Sequence, residues 1–545
     1  MYTVKKACLI LAIIMFCMGI TACNTEGGDS SMASSDSSKS EKTEVSKLVK
    51  NDGRAMIEYL GNPYLMYGCQ IRLDNMRASG IRDINAEEEY FKKLHELNFQ
   101  TVVWQLCWVL FEVDKDKFDT FELDMVLKWC EKYDLNLQII WFGSNVCGSW
   151  TNIPKYIWND SETYPPLPLS PQTHLIYSTP ALIERETKAV SKLFEILEQK
   201  DVTSRVCMFQ VENEPDNAGD FKEANGEKMQ IPWNGSDEQL FPYLWGGGQP
   251  DASINMMDKI AQACKNSNRS VVTRTNFVYT IFSNSVNQKN QYLRKTFERK
   301  YIDIVGIDIY SSTIEDYNKI MDYCVKETGP DNLSHSPESS GAQGTVINRV
   351  INAFDRGEGY LIYELRGAVP FVPAELDGGI YRMSSTEWIE RDGTQQVPNN
   401  EQNSYGKTMI ESKTAELRDF NKLIYKASNK LASLNKDRIS AFNVENKDGN
   451  YTQKGVLCDK YTLDYSTPNG GEALAICDTN GDLILLSLHK DSAFTVSGKT
   501  LSGKGSIGYF TVDGKWTEES SVDLSGSSVT LPEVTCMKIP AASIK

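Results

Sequence analysis

The chain has 545 residues, of which 41% are hydrophobic, and a formal net charge of −16 at pH 7. This length suits one large domain with smaller ones attached, and the acidic balance argues against a nucleic-acid partner, because binding phosphate needs Lys and Arg. The 4 histidines and the lack of any C-x-x-C pair predict no structural zinc site, and no other metal or cofactor is expected.

The N-terminus begins with a basic stretch and an apolar run over residues 7–20. The run is too short for a mature transmembrane helix and indicates a signal peptide over residues 1–22. Small residues before Cys23 resemble the bacterial lipobox, which implies lipidation of Cys23. A plain signal peptide with an incidental cysteine is the alternative.

Residues 23–51 are rich in Ser and charged side chains and are predicted to be a disordered tether, because they offer too little apolar surface to fold. We therefore expect a bacterial cell-envelope protein that is anchored to a membrane through its lipid and faces the extracytoplasmic side.

Beyond the tether, short apolar runs alternate with amphipathic stretches, which is typical of repeated β-α units. Eight strands are expected at residues 64–70, 101–107, 137–142, 206–211, 270–275, 302–309, 360–363 and 379–382. Helices are expected at residues 86–97, 122–133, 180–198 and 252–265. The pattern predicts the α/β class, with a (β/α)8 TIM barrel over residues 52–434 and long insertions after the fourth and sixth strands.

From residue 435 to residue 545 the pattern changes to short alternating runs separated by Asn-Gly, Asp-Gly and Ser-Gly. This punctuation predicts an all-β domain of sandwich type. Such a domain could bind carbohydrate, but bracing of the barrel is the favoured interpretation.

Two of the predicted strands end in glutamate. The fourth runs into Glu-Asn-Glu-Pro with Glu214 as its second acid, and the seventh ends at Glu364. Because the carboxyl ends of barrel strands meet at one face, both carboxylates are expected in one site. Glycosidic cleavage needs an acid for the leaving oxygen and a carboxylate at the anomeric carbon. We predict Glu214 as acid/base and Glu364 as nucleophile.

Two neighbours complete this site. Asn213 is expected to bind the sugar 2-hydroxyl, and Tyr310, at the end of the sixth strand, is expected to orient Glu364 by a hydrogen bond. Packing is the alternative role for Tyr310. Glu212 is the alternative acid, and Glu375, in a loop with Pro373, is the alternative nucleophile.

The motif Gln-Val-Glu-Asn-Glu at residues 210–214 resembles the end of the fourth strand in family 35 glycoside hydrolases, the β-galactosidase family of clan A. Residues 141–144, residues 153–157 and the segment 104–108 with Glu112 are similar to further family segments, and family 42 β-galactosidases share much of the plan. The resemblance spans about residues 60–390 and implies a retaining, metal-independent enzyme.

Departures from the family pattern concern the sugar. Pro215 and Asp216 replace the usual Tyr-Gly after the acid, and residues 70–75 differ from the typical first strand. The sugar contacts expected from their positions near strand ends are Arg72, Asn75, Trp108, Glu112 and Trp141. For each of them, packing or a rim salt bridge is the alternative.

The sequence thus predicts a retaining enzyme that cleaves β-glycosidic bonds in a carbohydrate partner, with galactosides as the leading substrate. Another clan A activity is the alternative: β-glucosidase, β-mannosidase, or an endo-acting glucanase or mannanase. A non-catalytic surface glycan-binding lipoprotein is less favoured, because both Glu214 and Glu364 are present.

Overall fold

The computed structural model describes residues 42–74, 84–146, 152–168, 174–217, 244–247, 249–311, 313–340, 346–364, 371–373, 380–382, 388–390, 407–409, 411–444, 452–468 and 470–545. Lys42–Lys545 forms one compact unit. In these ranges, no helix combines the length and apolar character needed to span a membrane. The predicted signal peptide and Cys23 lie outside the described residues.

Eight parallel strands form the central sheet. They are β1 (Tyr67–Ile71), β2 (Thr101–Cys107), β3 (Asn136–Val146), β4 (Val206–Asn213), β5 (Val272–Val278), β6 (Ile304–Asp308), β7 (His335–Ser340) and β8 (Gly359–Tyr363). Neighbours follow the order β6-β5-β4-β3-β2-β1-β8-β7. The outer strands of this order meet at a parallel bridge between Ile309 and Ser339, so the sheet curls into a nearly closed barrel.

Helices connect the strands, and the four predicted ones are confirmed as Ile84–Glu96, Phe121–Lys132, Pro180–Lys200 and Pro250–Asn266. Two of them begin with proline, which suits the first helical turn because its N–H groups have no partner within the helix. The other helices are Trp108–Phe111, Lys155–Trp158, Thr280–Ser283, Ser285–Asn290, Tyr292–Phe297, Ile314–Thr328, Val346–Asp355, Glu411–Tyr425 and Ser428–Ser433, with 3-10 turns at Trp245–Gly247, Gly329–Asp331, Lys436–Arg438 and Ala541–Ser543.

The last two barrel strands differ from the prediction. β7 lies in the stretch that we predicted to be an insertion, and the strand predicted as the seventh is β8. The predicted eighth strand was wrong, because Ile380–Arg382 pairs antiparallel with Trp388–Glu390 in a separate two-stranded sheet. The sequence of β7, His-Ser-Pro-Glu-Ser-Ser, has no apolar run and contains a proline, which normally argues against a central strand.

The barrel accommodates this proline at an irregularity. The pairing of β7 with β8 shifts register between Ser336 and Ser339, on either side of Pro337. On the adjoining strand, a Cβ on Gly306 would lie 2.6 Å from Pro337 Cγ and 2.7 Å from His335 Nε2. The absence of a side chain at Gly306 therefore makes room for the proline and imidazole rings.

Residues 42–51 belong to the folded unit, so the predicted tether extends too far. Thr43–Glu44 pairs with Arg269–Ser270, and Ser46–Asn51 pairs with Arg54–Tyr59, which also pairs with Asn62–Tyr64. The hydroxyl of Ser46 donates to the carbonyl of Cys207 at 2.5 Å and accepts from the N–H of Val272 at 2.8 Å. These bonds attach the segment to β4 and β5. The polar composition of the segment gave no sign of this attachment.

The C-terminal region is all-β, as predicted. Its strands are β9 (Ile439–Val444), β10 (Thr452–Leu457), β11 (Tyr461–Ser466), β12 (Gly471–Cys477), β13 (Leu483–Ser487), β14 (Ser492–Val496), β15 (Gly503–Phe510), β16 (Trp516–Leu524), β17 (Ser528–Leu531) and β18 (Thr535–Ile539). One sheet has the order β9-β12-β13-β18-β15-β16 and the other β10-β11-β14-β17. Short strands elsewhere pair Glu112–Asp114 with Lys117–Phe118 and Phe371–Pro373 with Lys407–Met409.

The six-stranded sheet contributes to two hydrophobic cores. Ile484 and Leu486 of β13 belong to the cluster that includes the barrel and its helices, whereas Leu485 between them belongs to the core of the β region. Backbone bonds reinforce the contact, since the N–H of Phe510 donates to the carbonyl of Lys426 at 2.8 Å. The β region therefore braces the barrel.

A chain that ends after residue 434 should lose the cover of this apolar surface and fail to give a soluble monomer with a cooperative melt. In the full chain, Ile484→Ala should lower the free energy of unfolding by about 2–4 kcal/mol, because it leaves a cavity in the shared core. Calorimetry measures the sharpness of the melt of the shortened chain and the stability change of Ile484→Ala. A truncated chain that melts as sharply and at the same temperature as the full chain would contradict the shared core.

Candidate active site

Three acidic side chains meet at the carboxyl ends of the barrel strands. Glu214 follows β4, Asp308 ends β6 and Glu338 lies in β7. Each offers an oxygen, and these oxygens all lie within 4.8 Å of one another. The residues are 8%, 0% and 3% exposed, respectively. We call this group the carboxylate trio.

Burial and mutual repulsion govern the protonation of the trio. Burial, followed by the charge of Glu214, raises the pKa of Glu338 from an ordinary 4.5 to about 7. Burial, followed by the charges of Glu338 and Glu214, raises the pKa of Asp308 well above its ordinary value. Carboxylates this close cannot all be ionised at neutral pH, so the trio holds at least one proton there.

Donors and a cation surround Glu338. The Tyr310 hydroxyl donates to Glu338 Oε2 at 2.5 Å, and the nearby charge of Arg72 lowers the pKa of Glu338, opposing the effect of burial. Arg72 is itself held by an ion pair with Asp74 at 2.7 Å and by a bond to the Tyr363 hydroxyl at 3.2 Å. The contacts with Tyr310 and Arg72 favour the ionised form of Glu338, but burial and the charge of Glu214 outweigh them.

An amide network fixes the other side of the trio. Asn276 Nδ2 donates to Asp308 Oδ2 at 2.6 Å and to Asn213 Oδ1 at 2.9 Å. Asn276 Oδ1 accepts from the Glu214 backbone N–H at 3.1 Å and from Gln210 Nε2 at 2.8 Å. A single side chain on β5 therefore positions both the turn after β4 and the acid that ends β6.

Backbone strain occurs where the strands end. Glu212, Glu214 and Glu364 have φ values of 60°, 47° and 53°, in the left-handed region that residues with a side chain seldom occupy. Such conformations cost on the order of 1–3 kcal/mol and are concentrated at functional sites. At Glu214 the turn follows directly on β4 and carries the carboxyl group to the trio.

The predicted nucleophile Glu364 does not belong to the carboxylate trio. Glu364 follows β8 and is 1% exposed, but the carboxylate trio comprises Glu338 in its place among the described residues. The hydrogen bond that we predicted from Tyr310 to Glu364 goes instead to Glu338. Asn75 and the alternative nucleophile Glu375 lie outside the described residues.

Of the predicted sugar contacts, Arg72 lies beside the trio, whereas Trp108, Glu112 and Trp141 are each 0% exposed. Trp108 Nε1 donates to Glu112 Oε2 at 2.9 Å, and Arg185 forms an ion pair with Glu112. The ring of Trp141 packs against that of Trp108, with centroids 6.3 Å apart. The structure does not bring these three side chains to the trio, because they are buried and both tryptophans pack in the main hydrophobic core.

Glu212, the alternative acid, is also buried away from the trio. It accepts the backbone N–H groups of Ser144 and Asn145, each at 3.1 Å, and interacts with Glu186 of helix Pro180–Lys200. Burial and the charge of Glu186 raise the pKa of Glu212 well above its ordinary value. A Cβ on Gly143 would collide with both carboxylates, so this tight junction of β3 and β4 requires glycine.

Sequence reasoning missed Glu338, Asp308 and Asn276. The available signal for Glu338 was a lone acid between Pro337 and Ser339, in a stretch without an apolar run. Asp308 gave no signal as a candidate, because an acid within an apolar strand has no motif of its own.

Oxygen ligands such as those of the trio are the type that Mg²⁺ and Ca²⁺ take. However, Tyr310 and Asn276 each already donate to one of these carboxylates, and Arg72 adds a nearby positive charge. Hydrogen-bond donors and a cation suit carboxylates that exchange protons more than carboxylates that hold a metal ion.

Comparison with known proteins gives a family match for part of the chain. Residues 253–397 match the family described as Domain of unknown function (DUF4978). This region contains β5 to β8, with Asp308 and Glu338, and begins after Glu214. No curated protein matches the chain.

The raised pKa of Glu338 predicts how stability depends on pH. Its carboxyl binds a proton more tightly in the folded chain than in the unfolded one, so stability is lost as pH rises from about 4.5 to about 7. Glu338→Gln removes this loss. The change in the free energy of unfolding caused by Glu338→Gln should therefore be more favourable above pH 7 than at pH 4, by on the order of 1–3 kcal/mol. Urea unfolding at several pH values measures the difference, and a difference that stays constant with pH would contradict the assignment.

Proposed function

We propose that the protein is a retaining glycoside hydrolase that cleaves β-glycosidic bonds by double displacement, with Glu214 as acid/base and Glu338 as nucleophile. The observation that carries the proposal is a pair of buried carboxylates, one directly after β4 and one in β7, with oxygens within 4.8 Å. Retaining enzymes hold their two carboxyl groups about 5–5.5 Å apart, whereas inverting enzymes leave about 6.5–9.5 Å for a water molecule.

In the first step Glu338, as the carboxylate, attacks the anomeric carbon and forms a glycosyl ester. The bond to the leaving oxygen breaks, and Glu214 gives that oxygen its proton. In the second step Glu214, now ionised, takes a proton from water. The resulting hydroxide attacks the same carbon, and the ester bond breaks to restore the Glu338 carboxylate.

The surrounding side chains support these roles. Tyr310 donates to Glu338 and fixes the direction of the attacking oxygen, and Arg72 favours its negative charge. Asn213, whose amide oxygen accepts from Asn276, is the proposed ligand of the sugar 2-hydroxyl. Tyr310 is 41% exposed and offers a ring edge or face to the substrate at the mouth of the barrel.

The proposed architecture is a (β/α)8 TIM barrel with a C-terminal β sandwich. Galactosides are the leading substrates, through the resemblance of residues 210–214 to β-galactosidases. The proposed setting is the bacterial cell envelope, where a lipid on Cys23 would hold the enzyme on the extracytoplasmic side against its glycan. No cofactor is part of the proposed reaction.

Hydrolysis of a panel of nitrophenyl β-glycosides by the compact unit from Lys42 tests this function. The wild-type enzyme should release nitrophenol from the β-galactoside, and Glu214→Gln and Glu338→Gln should each lower kcat about 10²–10⁴-fold or more. Azide should restore activity to both alanine variants, but with different products. Glu338→Ala should form an α-glycosyl azide, because azide attacks the substrate directly. Glu214→Ala should form a β-glycosyl azide, because azide attacks the ester intermediate.

Glu364→Gln is the matched control, because it changes a buried strand-end glutamate that lies outside the trio. Loss of activity in Glu364→Gln together with an active Glu338→Gln enzyme would restore Glu364 as the nucleophile. Turnover of another β-glycoside alone would replace galactose as the sugar. Glycan binding without any hydrolysis of monosaccharide glycosides or polysaccharides would favour the non-catalytic lipoprotein.

A further inference from the structure

Arg274 of β5 is a cation buried within the barrel. The side chain is 0% exposed, and its three guanidinium nitrogens have no hydrogen-bond partner among the described residues. It lies two positions before Asn276 on the same strand, and side chains two apart share one face of a strand. Since Asn276 contacts the trio, Arg274 points into the barrel interior one layer beneath it.

The groups around Arg274 leave its charge facing the trio. Asp308 and Glu338 are the ionisable acids whose charges act on it most, followed by Tyr64 and Cys207. Burial lowers the pKa of Arg274 to about 10, so it remains charged at neutral pH. Burial and the charge of Arg274 lower the pKa of His335 to about 3, so the imidazole of β7 stays neutral.

Charge balance gives this arrangement a consequence. The trio would carry three negative charges if fully ionised, and Arg72, the cation at its rim, is already paired with Asp74. A buried cation that lacks an ion-pair partner at hydrogen-bond distance acts on all nearby acids through the weakly screened interior. Arg274 therefore favours retention of one negative charge within the trio.

We propose that Arg274 is the buried counter-charge of the carboxylate trio, a positioning residue that acts through Glu338 by keeping it ionised for attack while Asp308 holds a proton. The catalytic consequence of this role rests on the proposed glycosidase function. The charge interaction itself can be measured without a substrate.

The test compares Arg274→Met, which removes the charge, with Arg274→Lys, which keeps it. In Arg274→Met the acidic limb of the kcat/KM–pH profile should move up by about one pH unit, because loss of a nearby cation raises the pKa of a carboxyl group. Arg274→Lys should keep the wild-type limb. Gln138→Met, another change inside the barrel, serves as a control for altered packing and should also keep that limb.

A second readout separates this proposal from the proposed function. Carboxyl ¹³C NMR of protein that carries ¹³C-labelled glutamate follows the titration of Glu338 directly. The Glu338 signal is the one that disappears in the spectrum of Glu338→Gln. An upward shift of the Glu338 midpoint in Arg274→Met supports the counter-charge even if no glycoside is hydrolysed, in which case only the proposed function fails. An unmoved midpoint in a folded Arg274→Met protein overturns the counter-charge.

Arg274→Met could fail to fold because it leaves the trio without its cation. The double variant Arg274→Met/Glu338→Gln removes one charge of each sign and should then fold. If the double variant also fails while Gln138→Met folds, Arg274 serves packing and the proposal is overturned.

Discussion

Repulsion among Glu214, Asp308 and Glu338 is the constraint around which this end of the barrel is built. Their oxygens lie within 4.8 Å of one another in a buried space, where isolated charges are costly. Each neighbouring feature lowers that cost: Asn276 donates to Asp308, Tyr310 donates to Glu338, and two arginines lie nearby. The strained turn at Glu214 is stabilised because its backbone N–H donates to Asn276 Oδ1 of the amide network.

Much of the scaffold was predictable because apolar strands and amphipathic helices have a recognisable periodicity in the sequence. β2 was predicted to the residue, and the four predicted helices were found within two residues of their ends. β7 was not predictable from pattern, because its serines, histidine and proline carry no apolar signal. What makes it a strand is tertiary: the space beside Gly306 and pairing with β8.

The same distinction explains the site. Glu214 was placed correctly at the end of β4 because a recognisable motif closes an apolar run, and it belongs to the trio. Glu338 was missed together with its strand, so the next glutamate at a strand end, Glu364, took its place. Trp108 and Trp141 were misplaced for another reason, since sequence shows that an aromatic residue lies near a strand end but does not show to which side it turns.

The bridge between Ile309 and Ser339 places a seam in the barrel wall between the sixth and seventh strands. The N–H of Ile309 donates to the carbonyl of Glu338 at 2.9 Å, so the seam passes through the backbone of one member of the trio and directly follows Asp308. Opening of the wall along this seam would therefore move members of the carboxylate trio. Amide hydrogen exchange along this seam would report on the geometry of the site itself, and a ligand that joins its two sides would slow that exchange.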